Sequence, residues 1–508
     1  RFNKVFDKHS INAILAYEWN TFTQEIKDQT AASFAPGFSV ADVATTPKTI
    51  KGEQKEWAVQ SYLFNANYAY DNRYLLSFSF RRDGASNFGT DAKYGNFFSV
   101  SGGWNIHQEE FFKAKDWVQQ LKLRASYGSV GNRPTELYSQ YTVYAMSTGY
   151  NGDPGAVIEQ KENKNLTWEK TYTAGVGIDA ILFDRLTINL DYYNKKTTDL
   201  LYKVPLPGVT GIVGIYRNVG AVKNNGFEVS MNVDILKGGD WSWSVAANLG
   251  LNRNKITELY GGKSEIITSN AGSSYAISMD KILTPGQDVD TWYGTEWAGV
   301  DPETGSPLWY TTNENGERVT TSNYSDASKH QTIIGKLSPD FYGGFSTDLS
   351  WKNIDLSAVF GYSVGGDIYN YDRSMYDSDG AYVNYNQMNL KEGWNRWEKP
   401  GDIATHPKAE YGNKSQSSKG SSRYLEDASY LRLRSLTLGY TLPWKIQYVD
   451  NIRLSFSGEN LFVLSGFSGV DPELPAEVGN KYKAGSVGVA ISPYPQARKF
   501  MFGLNVTF

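Results

Sequence analysis

The chain has 508 residues, with 50 Lys and Arg against 54 Asp and Glu, a net charge of −4, no cysteine and four histidines. Disulfide frameworks, thiolate metal sites and cysteine nucleophiles are therefore excluded, and His9, His107, His330 and His406 stand too far apart in sequence to suggest a zinc site. Mean hydropathy is −0.47 and no run approaches the roughly 20 apolar residues of a membrane helix, while the charge balance excludes a nucleic-acid binder working by bulk basic charge. No linker, charge block or Pro/Ser-rich tract divides the chain. The 35 Tyr, 24 Phe, 14 Trp and 49 Gly in a polar chain instead suit a large antiparallel β protein. A transmembrane barrel is one case of that class, because its alternating strands look weak to a hydropathy scan.

In chain order, alternating segments begin near Ile11, Tyr62, Tyr74, Phe98, Leu121 and Thr173. The pattern is strict from Leu186, where Ile188, Leu190 and Tyr192 alternate with Thr187, Asn189 and Asp191. It is equally strict in Phe227–Ile235, where Val229 and Met231 alternate with Glu228, Ser230 and Asn232, and in Trp241–Leu249. Further segments start at Phe341, Ile354, Leu436 and Ile452. The last carries Phe500, Phe502, Leu504, Val506 and Phe508 on one face. This reading predicts about 15 strands, each near the roughly 9–11 residues that cross a bilayer when tilted.

Connection lengths sort into two kinds. Short turns are expected at Asp71–Arg73, Phe183–Arg185, Lys237–Asp240 and Lys352–Asn353. Long stretches run over 204–225, 254–339, 365–430 and 464–499. Such sorting fits short periplasmic turns and long external loops, with residues 366–425 outside the cell, and a soluble sandwich or propeller has no reason for it. Charged strand residues (Asp191, Glu228, Asp234, Arg453, Glu459) must then line a lumen, as do Asn189, Ser230 and Asn232. Ile188, Val229, Val245, Ile354 and Leu454 face lipid. Trp241, Trp243, Tyr192, Trp351 and Trp444 suit interfacial girdles, although aromatics are also good strand formers.

Catalytic constellations are weak. Glu53/Glu56, Glu109/Glu110 and Asp377/Asp379 are paired carboxylates of the kind a glycosidase needs, but such pairs on turns and loops are ordinarily solvated. The Gly-rich run 361–366 follows a strand and opens no helix, so it is no phosphate loop. The chain is expected to be neither an enzyme nor a binder of a cofactor. Binding would instead reside in the long loops. Trp292, Tyr293, Trp297, Trp309, Tyr371, Tyr376, Trp394 and Trp397 are candidate cargo contacts, since aromatic rings with polar neighbours suit sugar rings or peptide side chains. The same residues could equally pack the loops or meet a partner subunit.

The stretch Asp427–Tyr440 (DASYLRLRSLTLGY) resembles a hallmark of SusC/RagA-type TonB-dependent outer-membrane transporters of Bacteroidetes. So do Gly458-Glu459-Asn460-Leu461-Phe462 with Gly469-Val470-Asp471-Pro472-Glu473, and Tyr494-Pro495-Gln496-Ala497-Arg498 ahead of Gly503–Phe508. Asn165–Lys170, Asp191–Lys196, Asn218–Gly220 with Gly226–Glu228, and Pro339–Gly344 are similar to the family in the same order. The closing Phe508 is similar to the terminal aromatic of outer-membrane barrel proteins.

This resemblance implies a 22-stranded family barrel with an N-terminal plug, energy supplied through the TonB complex, and a SusD-like surface lipoprotein acting as a lid. The cargo would be an oligosaccharide or a peptide, in contact with no nucleic acid. The chain, beginning at Arg1, is expected to be the C-terminal barrel portion (1–508), with plug and first strands outside it. The family often carries a calcium-like stretch after its Asp-Pro-x-Thr-Gly turn. Here Asp301–Gly305 is followed by Asn313-Glu314-Asn315-Gly316-Glu317, which lacks an EF-hand ligand pattern, so no metal is expected. Two further readings are a passive porin and a barrel-anchored adhesion protein.

Overall fold

The computed structural model describes residues 1–134, 137–150, 153–212, 214–268, 279–385, 388–444, 447–473, 489–490 and 495–508. Tyr494 of the terminal motif lies outside them.

The alternating segments form one 15-stranded antiparallel sheet whose strands are hydrogen-bonded in chain order. They are β1 (Phe2–Phe6), β2 (His9–Phe34), β3 (Ala44–Tyr70), β4 (Tyr74–Ala85), β5 (Tyr94–Asn105), β6 (Val118–Asn132), β7 (Glu169–Leu182), β8 (Leu186–Thr198), β9 (Ala221–Leu236), β10 (Trp241–Glu258), β11 (Phe341–Trp351), β12 (Ile354–Val364), β13 (Tyr430–Thr441), β14 (Asn451–Ser465) and β15 (Lys499–Thr507). All the expected short turns are present. Asp71, Asn72, Phe183, Asp184 and Lys352 take positive φ there, as tight hairpin connections require. The chain divides into two compact units: residues 1–113, 122–176 and 193–222, and residues 114–121, 177–192 and 223–508.

In the first unit the register sorts the side chains into two faces. Leu15 lies opposite Phe64, which lies opposite Phe80, which lies opposite Phe98. On the other parity Ser77 and Ser79 stand opposite Ser101 and Ser99, and Glu18 stands opposite Ser61 and so shares a face with Asp83. Tyr70 and Tyr74 stack at 6.4 Å beside the 71–73 turn. β2 and β3 depart from expectation. With 26 and 27 residues they far exceed what a hydrocarbon core of about 30 Å demands at about 3.3 Å per residue. Beyond Asn20 they carry Glu25, Lys27, Lys51, Glu53 and Lys55, which suit a hairpin running on into water.

The second unit repeats the two-faced pattern. Leu349, Leu356, Leu438, Phe456 and Phe502 are successive cross-strand partners on one face. Trp351, Ile354, Tyr440, Leu454 and Leu504 form the next row. Leu438 is 47% and Leu454 45% exposed on interior strands of the sheet, so among the described residues nothing covers this apolar belt, and lipid is its solvent. Trp241 and Trp351 stack at 5.5 Å at its short-turn edge. On the opposite face Arg453 reaches Asp355 at 2.5 Å across Gly439, where an added Cβ would lie 2.3 Å from the guanidinium. Glu459 pairs with Lys499 at 3.3 Å. Val245, Ile354 and Leu454 thus share the apolar face and Arg453 the polar one, as the alternation predicts.

The long connections of this unit are themselves folded. Ile266–Thr268, Asp280–Leu283, Thr291–Gly294 and Thr332–Lys336 make a four-stranded sheet, and Trp297–Val300, Pro307–Thr312 and Arg318–Thr321 a three-stranded one. Asp367–Asn370 joins Leu425–Asp427 and Val489–Ala490. Their apolar centre is Met279, Trp292, Tyr369, Tyr371, Tyr424 and Val489.

Candidate binding surfaces of the long-loop end

The loop aromatics singled out from sequence separate into several environments. Trp292 is fully buried, donates from Nε1 to the Asp367 carbonyl at 2.8 Å, and shares its core with the buried Tyr371. Tyr293 is half-buried on the adjacent strand position, and burial raises its phenol above the ordinary value. Trp309 is fully buried, packed edge-on between Trp297 at 5.7 Å and Tyr324 at 5.3 Å. Trp394 lies 4.4 Å from the Arg373 guanidinium and 5.0 Å from the His406 ring. Trp397 donates to the Pro302 carbonyl at 2.7 Å and lies over Gly305, whose φ of +67° and missing Cβ admit the ring. Tyr376 is 43% exposed. Burial assigns Trp292, Trp309 and Tyr371 to packing. Tyr376, Trp394 and Trp397 keep surface that a solute can reach.

Beneath them lies a buried ion network. Arg423 contacts Asp379 with both terminal nitrogens and lies 3.5 Å from Asp377. Arg396 reaches Asp379 at 2.6 Å, and His406 meets Asp377 at 2.9 Å. Arg373 bridges Asp377 at 3.3 Å and Glu426 at 3.0 Å. Burial pushes the Asp379 carboxyl up, but Arg423, Ser417 and Arg396 outweigh it and hold the group below the usual carboxylate range. Unpaired, such charges would be costly to bury. Matched, they fix the loops in one arrangement.

The other paired carboxylates are also engaged structurally. Glu53 pairs with Lys55 at 2.9 Å, and Glu109 accepts from Tyr74 at 2.7 Å and Trp104 at 3.0 Å. Asp301 caps its own turn, accepting from the Glu303 amide at 2.9 Å. Among the described residues no group of three His, Asp or Glu is placed to hold a metal ion.

A second surface, in the first unit, was not anticipated from sequence. A cavity of about 860 Å3 is bordered by Phe22, Trp57, Asn87, Arg133, Tyr138 and Lys203, among others. An adjoining one of about 570 Å3 shares Trp57, Asn132 and Arg133 and continues along Glu18, Arg81 and Asp83. Trp57 pairs with Phe22 across β2 and β3, on the parity of Ser61 and Glu18, which is the polar face. The signal was present: Trp57 stands an odd number of residues before Tyr62 and Phe64, so it breaks the rule that large aromatics occupy the lipid side. The Arg133 guanidinium lies 3.6 Å from the Trp57 ring centroid, a cation–π contact.

Residues 3–370 match the family described as TonB dependent receptor-like, beta-barrel. TonB-dependent receptor P3 of Formosa agariphila is 31% identical over all of this chain and 51% of its own length. TonB-dependent receptor SusC of Bacteroides thetaiotaomicron is 28% identical over 88% of this chain and 43% of its own. The solved RagAB peptide transporter superposes with a TM-score of 0.86 at 28% identity, covering all of this chain and 54% of that one. The chain thus spans about half the length of the relatives it matches. With the lipid-facing belt, the polar inner face and the sorted connections, these likenesses make the chain a member of the TonB-dependent receptor β-barrel family, of the SusC/RagA type, and an outer-membrane protein.

Proposed function

We propose that this chain supplies most of the barrel wall of an active importer of oligosaccharides or peptides, energised through the TonB complex and gated by a SusD-like surface lipoprotein. In this reading residues 1–508 are the C-terminal barrel portion of a longer receptor whose plug precedes them. The chain has no catalytic role. The observation that carries the reading is the division of labour in the sheet. One face is an apolar belt, and the other presents paired charges such as Arg453–Asp355 to a lumen that must be wet or plugged.

Long loops folded around a buried ion network form a rigid external platform, on which Tyr376, Trp394 and Trp397 meet cargo or the lid. A barrel of the family's size encloses a lumen wide enough to require a plug, so passage is gated. Likeness to a peptide transporter and to SusC keeps both cargo classes in view. Planar-bilayer conductance of the complete receptor tests the gating. A closed, low-conductance state supports the importer. A permanently open pore would leave the passive porin.

A further inference from the structure

Among the described residues, the cavity of the first unit holds a cation, Arg133, with no counter-ion paired to it. Arg133 is half-buried against Trp57, and burial pushes its guanidinium below the ordinary value. Among the described residues its Nη1 is sequestered with no hydrogen-bond partner, as are both amide atoms of Asn87, a residue only 2% exposed.

Elsewhere among the described residues, the buried arginines face carboxylates: Arg423 faces Asp379 and Asp377, and Arg432 faces Asp471 at 2.5 Å. Three of the carboxylates that border the two cavities are already engaged with other cations. Glu53 pairs with Lys55 at 2.9 Å, while Glu18 and Asp83 share Arg81 at 3.2 and 2.6 Å. Glu159 also borders the cavity, but no ion pair joins it to Arg133 among the described residues. Lys203, 5.7 Å over the Tyr216 ring, adds a second positive charge. A partly buried guanidinium with its Nη1 unpartnered lacks one thing among the described residues, an anion.

We propose that this lumen-side cavity binds a carboxylate group of the cargo, with Arg133 as its clamp and Trp57 as the platform beneath. The proposal rests on the import reading for its occupant, and it narrows the cargo to carboxylate-bearing solutes. Both the C-terminus of a short peptide and a uronic acid residue of an oligosaccharide present that group. Each is planar and two-oxygened, which suits the fork of an arginine better than the point charge of a lysine. The cavities, about 860 and 570 Å3, have the size of small-ligand sites, and their polar walls suit the remainder of such a solute. Their position on the polar parity of β2, β3 and β4 places them where a solute entering the lumen passes.

The test is equilibrium binding to the purified complete receptor by calorimetry, with two matched ligand pairs: a tripeptide and its C-terminal amide, and trigalacturonate and its methyl ester. The acid of at least one pair should bind about tenfold or more tighter than its neutral partner, and the pair that discriminates names the source. Arg133→Gln should abolish that preference, and Arg133→Lys should retain part of it. Heat-modifiable gel mobility reports whether each variant folds, and the wild-type comparison decides even where one does not. Equal binding of acid and neutral forms in both pairs, or an undiminished preference in Arg133→Gln, overturns the site. Binding needs no TonB. TonB-dependent uptake with indifferent binding would therefore sink this proposal alone, and a carboxylate preference without TonB-dependent uptake would sink only the import reading.

Discussion

Replacing Leu436 by arginine places a charge near the middle of the lipid face. The position follows from register: Leu436 sits opposite Ala358 on one side and Gly458 on the other, five residues in from the end of β13 at Thr441. An arginine at that depth costs about 2–4 kcal/mol. Thr437, the next residue, lies on the polar face, where its hydroxyl is 3.0 Å from that of Ser457. Arginine there loses one hydrogen bond, about 0.5–1.5 kcal/mol, and keeps its charge in the lumen. Urea unfolding of the complete receptor from lipid vesicles, followed by tryptophan fluorescence, should rank Leu436→Arg well below Thr437→Arg. Equal losses, or the reverse order, would refute the two-faced assignment, because a one-residue slip exchanges every side chain between lipid and lumen.

Gly439→Val should disrupt the Arg453–Asp355 pair that crosses it and lower barrel stability, visible as a lower gel-shift temperature, whereas Gly466→Val, where an added Cβ meets nothing, should change little. Trp292→Ala should cost about 3–5 kcal/mol of loop stability and open the loops to limited proteolysis, while Tyr376→Ala should leave the digestion pattern intact. The depressed Asp379 carboxyl gives a pH signature of definite sign. Its contribution is present above the unfolded value of about 3.9 and is lost as pH falls through the lower folded value. Protease resistance of the loops should therefore hold near pH 5 and decline only below the ordinary carboxylate range, and Asp379→Asn should flatten that dependence. For orientation, a cysteine replacing Lys414 should label in intact cells and one replacing Lys237 should not.

The wall of this protein was legible because lipid imposes its rule residue by residue. Phe500, Phe502 and Leu504 alternate in sequence, and the register keeps them on one face. Turns such as Asp71–Arg73 were legible because few residues tolerate positive φ. The loops were not. Trp292 and Trp397 look alike in sequence, yet one is enclosed by Met279, Tyr369 and Tyr424 while the other lies over Gly305, and only tertiary packing separates them. The extreme length of β2 and β3 escaped notice because pairing continues past the bilayer once Phe22, Gln24 and Ile26 find partners in Trp57, Lys55 and Glu53. Trp57 and Arg133 lie far apart in the chain, and no local pattern links them. The parity of Trp57 was the one available clue.

Energised import through this barrel can be measured in whole cells. Its most direct measurement is uptake of candidate oligosaccharides and peptides by cells carrying the complete receptor, with and without a functional TonB. Accumulation should disappear when TonB is removed. Undiminished uptake without TonB would contradict energised import and leave a passive pore.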